Sequence, residues 1–169
     1  MDTVYFAIDP GAKGVLTIRY PDGRMEHHFF ADEDRRDTIA AIVRAKKLNP
    51  LWRSVAVMEE VHAIYGSSAK ATFAFGETFG FFKGILFACN LPLNLVQPKD
   101  WQKAVWGPKD KIWVSKNGRK VIDTKATSIT AARRLFPDHD LRRTPACKKP
   151  DDNLCDSMLI AEYARRMNL

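Results

Sequence analysis

Asp9, Glu59, Asp152 and Asp156 are the residues of this 169-residue chain whose types and spacing could do chemistry. Asp9 ends a short apolar run, Val4 to Ile8, and is followed by Pro10-Gly11; Glu59 ends the β-branched run Ser54 to Met58 in the same way. Sites in open α/β sheets form beyond the carboxyl ends of strands, so Asp9 and Glu59 meet if their strands are neighbours. Asp152 and Asp156 are four residues apart and share one face of a helix, whereas Asp151 projects elsewhere at its start. Four gathered carboxylates repel one another unless cations lie between them, and hard oxygen ligands select Mg²⁺, with Mn²⁺ as a substitute. Two such ions roughly 3.5 to 4 Å apart activate a water and stabilise a leaving oxygen in phosphodiester hydrolysis.

Taken singly, Asp9 also reads as a turn cap, Glu59 as a salt-bridge partner and Asp152 as a complement to a helix dipole. Asp156 is different, because it lies between Leu154 and the apolar run Met158, Leu159, Ile160, where a carboxylate needs a partner. Glu60 points to the other side of an extended chain from Glu59 and is expected to be a bystander.

The elements that must position these groups follow from periodicity and punctuation. Val4–Ile8, Gly14–Tyr20 and Met25–Phe30 read as a three-strand meander, with a turn at Pro21-Asp22-Gly23. A helix follows the acidic start Ala31–Asp34 and runs to about Lys47. A fourth strand at Ser54–Met58, a helix over about Lys70–Cys89, a fifth strand at Leu93–Val96, and helices over Pro98–Val105, Thr124–Phe136 and Asp151–Met167 complete the order βββαβαβααα. That order predicts an α/β fold with a mixed five-stranded sheet flanked by helices, in one domain spanning 1–169. Gly76, Gly80 and Gly84 form a flat stripe on the second helix, which predicts close internal packing in preference to a subunit contact.

The stretch from about 107 to 123 is expected to protrude as a basic loop or hairpin. Its Lys109, Lys111, Lys116, Arg119 and Lys120 suit phosphates, though solvated charge is the plain alternative. Lys99 and Lys103 add to this basic surface. With 27 Lys and Arg against 20 Asp and Glu, the net charge of +7 favours a polyanionic partner. Three widely spaced cysteines, Cys89, Cys147 and Cys155, have no zinc-type spacing and suit a reducing compartment. The start is too short and polar for a signal peptide, and Lys83, Asn90 and Pro92 break the one long apolar stretch, so a soluble, cytoplasmic protein without membrane contact is expected.

The segments Ile8-Asp9-Pro10-Gly11, Met58-Glu59-Glu60-Val61 and Asp152 to Ala161, in this order and spacing, resemble RuvC-type Holliday junction resolvases, phage-type members most. The resemblance extends over nearly the whole chain and includes Phe75-Gly76, Gln97-Pro98-Lys99-Asp100-Trp101 and the ending Leu159 to Ala164. It implies a ribonuclease H-like fold, a homodimer and a bacterial or phage-infected host cell. It further implies two Mg²⁺ ions held by Asp9, Glu59, Asp152 and Asp156, and cuts leaving 5′-phosphate and 3′-hydroxyl ends. Bacterial members place the third acidic or His ligand three residues before the last Asp, where this chain has Asn153; Asp152 matches the four-residue spacing of phage-type relatives. His62 lies where similar resolvases often place an aromatic that pries open junction bases, and otherwise reads as a surface His. Lys125 falls where the family has a Lys contacting DNA near the scissile phosphate.

The expected activity is therefore metal-dependent, paired cutting of four-way DNA junctions by an isologous dimer. A broader debranching nuclease acting on forks, flaps and three-way junctions is an alternative, and a non-catalytic junction-binding protein is a further one. Asp9-Pro10-Gly11-Ala12-Lys13-Gly14 also resembles the first phosphate loop of actin-like kinases, but those proteins need two such domains around a nucleotide, so no nucleotide cofactor is expected.

Overall fold

A computed structural model of the chain describes residues 1–11, 13–60 and 68–169. Five strands form one mixed sheet in the order β3-β2-β1-β4-β5: β1 (Thr3–Asp9), β2 (Val15–Arg19), β3 (Met25–Phe29), β4 (Arg53–Glu59) and β5 (Leu93–Val96). The first three make the expected antiparallel meander, and β4 and β5 add on parallel to β1. Central β1 and β4 are continuous apolar runs because both of their faces are covered.

Strand alternation divides the core. Val4, Phe6 and Ile8 of β1 and Ala56 and Met58 of β4 face α1 (Arg35–Lys47) and α2 (Ala69–Ala88), meeting Ile42, Phe82 and Leu86. Tyr5 and Ala7 with Val55 and Val57 face the other way, toward α3 (Pro98–Val105), α4 (Thr124–Leu135) and α5 (Asp152–Met167). Side-chain caps start four of the helices: Asp34 accepts from Arg36 N–H, Ser68 from Ala71, Asp123 from Ala126 and Asp151 from Leu154. Pro98 opens α3, where its missing N–H costs nothing.

The basic stretch is a hairpin, β6 (Trp113–Lys116) and β7 (Arg119–Ile122), with residues 111–120 exposed. Its turn places Asn117 at φ 52° and Gly118 at φ 73°, the left-handed pair that matches the twist of a two-residue hairpin.

Internal packing of the glycine stripe is not what the structure shows. α2 meets the sheet through Phe82 and Leu86, and Gly80 and Gly84 lie roughly 200° around the helix from them. Nothing described lies within 4 Å of a Cβ placed at Gly76, Gly80 or Gly84. Phe73 (76% exposed) and Phe87 (88%) are likewise uncovered. Among the described residues, no helix is long and apolar enough to cross a membrane.

Candidate active site

The register brings the acidic residues together. Ile8 pairs with Met58 across the parallel β1–β4 ladder, so Asp9 and Glu59 emerge side by side from adjacent strands, about 5 Å apart along the hydrogen-bonding direction. Continuing the alternation of Ala7 and Val57, both lie on the α5 face. Helix α5 packs along β1, β2 and β4 with its first turns over this edge, and Asp152 and Asp156 come from those turns. Their proximity is felt electrostatically: Asp9 is influenced by Glu59, Asp152 and Asp151, and Asp156 by Asp9, Glu59 and Asp152.

The carboxylates are held from the turn after β1, from α3 and from α4. Asp9 Oδ1 accepts from Gly11 N–H at 3.3 Å, and Glu59 Oε1 accepts from Trp101 Nε1–H of α3 at 3.2 Å. Lys125, at the start of α4, pairs its Nζ with Asp152 Oδ2 at 2.5 Å. Ser128, three residues on, offsets part of the cost of charging Asp156 by hydrogen bonding. Asp156 Oδ1 nonetheless is buried without a hydrogen-bond partner. Asp151, as expected, turns aside: it caps α5 and pairs with Arg143 Nη1 at 3.3 Å. Glu60 accepts from Gln97 Nε2–H at 2.5 Å, away from the acidic group.

Burial, then repulsion from Glu59, Asp152 and Asp151, push the Asp9 carboxyl up to about 7 against the pull of the Gly11 amide. Burial first and the neighbouring carboxylates next push Asp156 well above its ordinary range, and burial raises Glu59 despite the Trp101 bond. Lys125 is held more firmly protonated by its bond to Asp152 and by the charges of Asp156 and Asp9. Buried Cys155, pushed up to about 12 by burial and then by Asp156, Asp151 and Asp152, is a neutral packing residue at physiological pH.

Gly14 secures the Asp9 turn. A Cβ there would stand 2.0 Å from the Asp9 carbonyl oxygen and 2.7 Å from that of Gly11. Gly14→Ala is therefore expected to force the turn apart, costing about 2 kcal/mol of stability as overpacking does and displacing Asp9. Denaturant unfolding checks the first effect and nuclease assays the second; wild-type stability in the variant would contradict the close approach.

Among the described residues, no group of three or more His, Cys, Asp or Glu is gathered tightly enough, as the side chains stand, to hold a metal ion. The donor set nevertheless suits one. Asp9, Glu59 and Asp156 offer only oxygen, one buried oxygen of Asp156 has no partner, and burial, joined at Asp9 and Asp156 by repulsion from neighbouring acids, disfavours the charged forms, which a divalent cation would relieve. The cation now among them is the Lys125 ammonium.

Among the described residues, Lys125 alone of the basic side chains singled out in the sequence touches the acidic group. Lys99 and Lys103 are exposed on α3, Lys109 and Lys111 precede the hairpin, and Lys116, Arg119 and Lys120 lie on it, all exposed. His62 lies outside the described residues. Trp101 and Ser128 were not singled out by sequence as holders of Glu59 and Asp156; the signal for Ser128 was its i, i+3 spacing from Lys125, which puts both on one helix face.

No family model and no curated protein matches the sequence. Solved structures do match. A Thermus thermophilus RuvC structure in complex with a Holliday junction substrate has a TM-score of 0.55 at 12% identity, over 98% of this chain and 96% of that one. The fold is RuvC-like. A second T. thermophilus RuvC structure has a TM-score of 0.52 at 17% identity, over 98% of this chain and 97% of the other. At these identities the likeness concerns the RuvC-like fold, a mixed five-stranded sheet with helices on its faces, in keeping with the order of strands and helices read from the sequence.

Proposed function

We propose that this chain is a metal-dependent endonuclease that cuts branched DNA, four-way junctions foremost. The observation that carries the reading is the convergence of Asp9, Glu59 and Asp156, with Asp152 beside them, at the ends of β1 and β4 under the start of α5. The neighbouring structure bound to a Holliday junction substrate supports the same substrate class. Asp9, Glu59, Asp152 and Asp156 would hold Mg²⁺, which when bound supplies water activation and stabilises the leaving oxygen of a phosphodiester. Trp101 fixes the Glu59 carboxylate, Ser128 positions Asp156, and Lys125 brings a positive charge that a scissile phosphate attracts away from Asp152. Exposed Lys99, Lys103, Lys109, Lys111, Lys116, Arg119 and Lys120 bind flanking phosphates. The four-residue spacing of Asp152 and Asp156 supports the phage-type resemblance.

Paired cuts require two sites, and we assign the second to a homodimer partner. The uncovered α2 face, with Gly76, Gly80, Gly84, Phe73 and Phe87, supports this assignment, because small residues let another backbone approach closely.

The test is denaturing-gel cleavage of a labelled four-way junction and a matched linear duplex with Mg²⁺, Mn²⁺ or EDTA. Metal-dependent, paired cuts confined to the junction are expected. Equal cutting of forks and flaps would instead assign a broader debranching nuclease, and binding without cutting in either metal would leave a junction-binding protein. Sedimentation of the free protein at twice the chain mass is expected for the dimer.

A further inference from the structure

The β6–β7 hairpin carries a feature that phosphate binding leaves unexplained. Trp101 and Trp106 are packed edge to face with centroids 6.0 Å apart, Trp101 being buried, whereas Trp113 is 49% exposed on a two-stranded ribbon. Its strand neighbours Ile112 and Val114 are exposed as well. Cross-strand pairing places Trp113 and Ile122, Ser115 and Lys120 on one face of the ribbon. On that face Lys120 Nζ stands 5.2 Å from the Trp113 ring centroid, a cation–π contact that leaves the rest of the indole to solvent.

The surrounding charge is of one sign. Residues 111–122 contain Lys111, Lys116, Arg119 and Lys120 and no acid. The acids at either end are already engaged: Asp110 accepts from Arg134 and from Gly107 N–H, and Asp123 caps α4. The ribbon therefore presents an aromatic plane among unneutralised cations, the pairing that single-stranded nucleic acid recognition uses.

Its root ties it to the acidic site. Ile112 N–H donates to Thr127 Oγ1 at 3.0 Å, Asp123 N–H donates to the Ile112 carbonyl at 2.9 Å, and both Asp123 and Thr127 belong to the first turn of the helix that carries Lys125 to Asp152. A strand whose phosphate lies at Lys125 thus passes the foot of the hairpin.

We infer that Trp113 is a base-stacking residue, which takes up an unpaired or unstacked base of branched DNA while the hairpin cations hold the adjoining phosphates. This rests on the reading of the chain as a branched-DNA nuclease. A fully stacked duplex offers Trp113 no free base face, so the contact discriminates branched from linear DNA, and it does so without reading base identity, since every base has a π face.

The test measures binding of fluorescently labelled four-way junction and linear duplex to the full chain in EDTA, across a salt series. Wild type is compared with Trp113→Leu, which keeps apolar bulk in the strand, and with Trp113→Phe, which keeps a ring. Trp113→Leu is expected to weaken junction binding by about tenfold, to leave duplex binding unchanged, and to leave the salt slope unchanged, because stacking releases no counterions. Trp113→Phe is expected to retain most of the affinity. Wild-type junction affinity in Trp113→Leu, or an equal loss on duplex, would overturn the stacking role while leaving the nuclease reading standing. A change in sedimentation mass with unchanged DNA affinity would overturn it in favour of a protein contact. If wild type binds junction no better than duplex and cuts neither, the nuclease reading itself fails and this inference with it.

Discussion

Asp156→Asn is expected to abolish metal-dependent cutting of a four-way junction while raising the melting temperature of the metal-free protein. Loss of about 4 kcal/mol of transition-state stabilisation, the scale on which a bound metal acts, corresponds to a rate lower by on the order of 10³-fold. The opposite effect on stability follows from burial: Asp156 has a buried oxygen without a partner and stands among Asp9, Glu59 and Asp152. An amide of the same shape removes that repulsion. This relief should appear as a higher transition temperature of the variant in EDTA.

Asp9 supplies the pH dependence. Its carboxyl moves from 3.8 to about 7 in the fold. Between those values the native state keeps a proton that the unfolded chain has released, so the native state loses stability as pH rises through this window, and above it the penalty is complete. The stability gained by Asp9→Asn in EDTA should therefore be larger at pH 8 than at pH 5. Mg²⁺ should stabilise wild type at pH 8 and neither Asn variant. Thermal unfolding in EDTA and in Mg²⁺ checks all of this, and an Asp156→Asn protein that melts below wild type in EDTA would remove the claim that the site stores repulsion.

Glu162→Ala is expected to be the most damaging single change far from the acidic site. On the last turns of α5, Glu162 accepts from Arg165 Nε and Nη2 at 2.9 and 2.8 Å and from Arg166 Nε at 2.8 Å, and it faces Arg19 of β2 at 3.8 Å. Burial alone would raise its carboxyl, but the bonds from the two arginines prevail and bring it down to about 2. Arg19 depends on it, because its Nε is buried without a hydrogen-bond partner. Removing one member of such a buried set costs about 3 kcal/mol, a fall of roughly 6–12 °C in the transition. The depressed pKa means that this contribution is complete above about 4.5 and is lost as pH falls through about 2, the reverse of Asp9. Calorimetry of wild type and variant at pH 7 and pH 3 measures it; a variant within a degree or two of wild type at pH 7 would show the arginines to be held by other means.

Much of this was legible in the chain because the informative signals are local. β1 and β4 announce themselves as apolar runs ending on a carboxylate, and the Asp152/Asp156 spacing fixes one helix face whatever the tertiary structure. Asn117-Gly118 similarly favours a tight hairpin within the basic stretch, whose composition alone suits a loop as well as a hairpin. The misplaced glycine stripe shows the limit: α2 is apolar nearly all round, so its sequence does not say whether Phe82 and Leu86 or the glycines face the sheet. The bonds from Trp101 to Glu59 and from Lys125 to Asp152 join residues far apart in the chain, and only the docking of α3 and α4 against α5 brings them into reach.

The placement of half the acidic group on α5 has a consequence for how the molecule matures. The β1–β2–β3 meander is made of sequence neighbours and closes through short loops, whereas α5, the last helix described, docks against β1 and β2 across nearly the full length of the chain. Contacts of such long sequence separation form late, since their loop-closure entropy must be met before they contribute. Asp9 and Glu59 can be aligned by the sheet while Asp152 and Asp156 are still absent. The acidic group is then complete only once the long-range core is in place, so a half-folded chain lacks the site on which the proposed cutting depends.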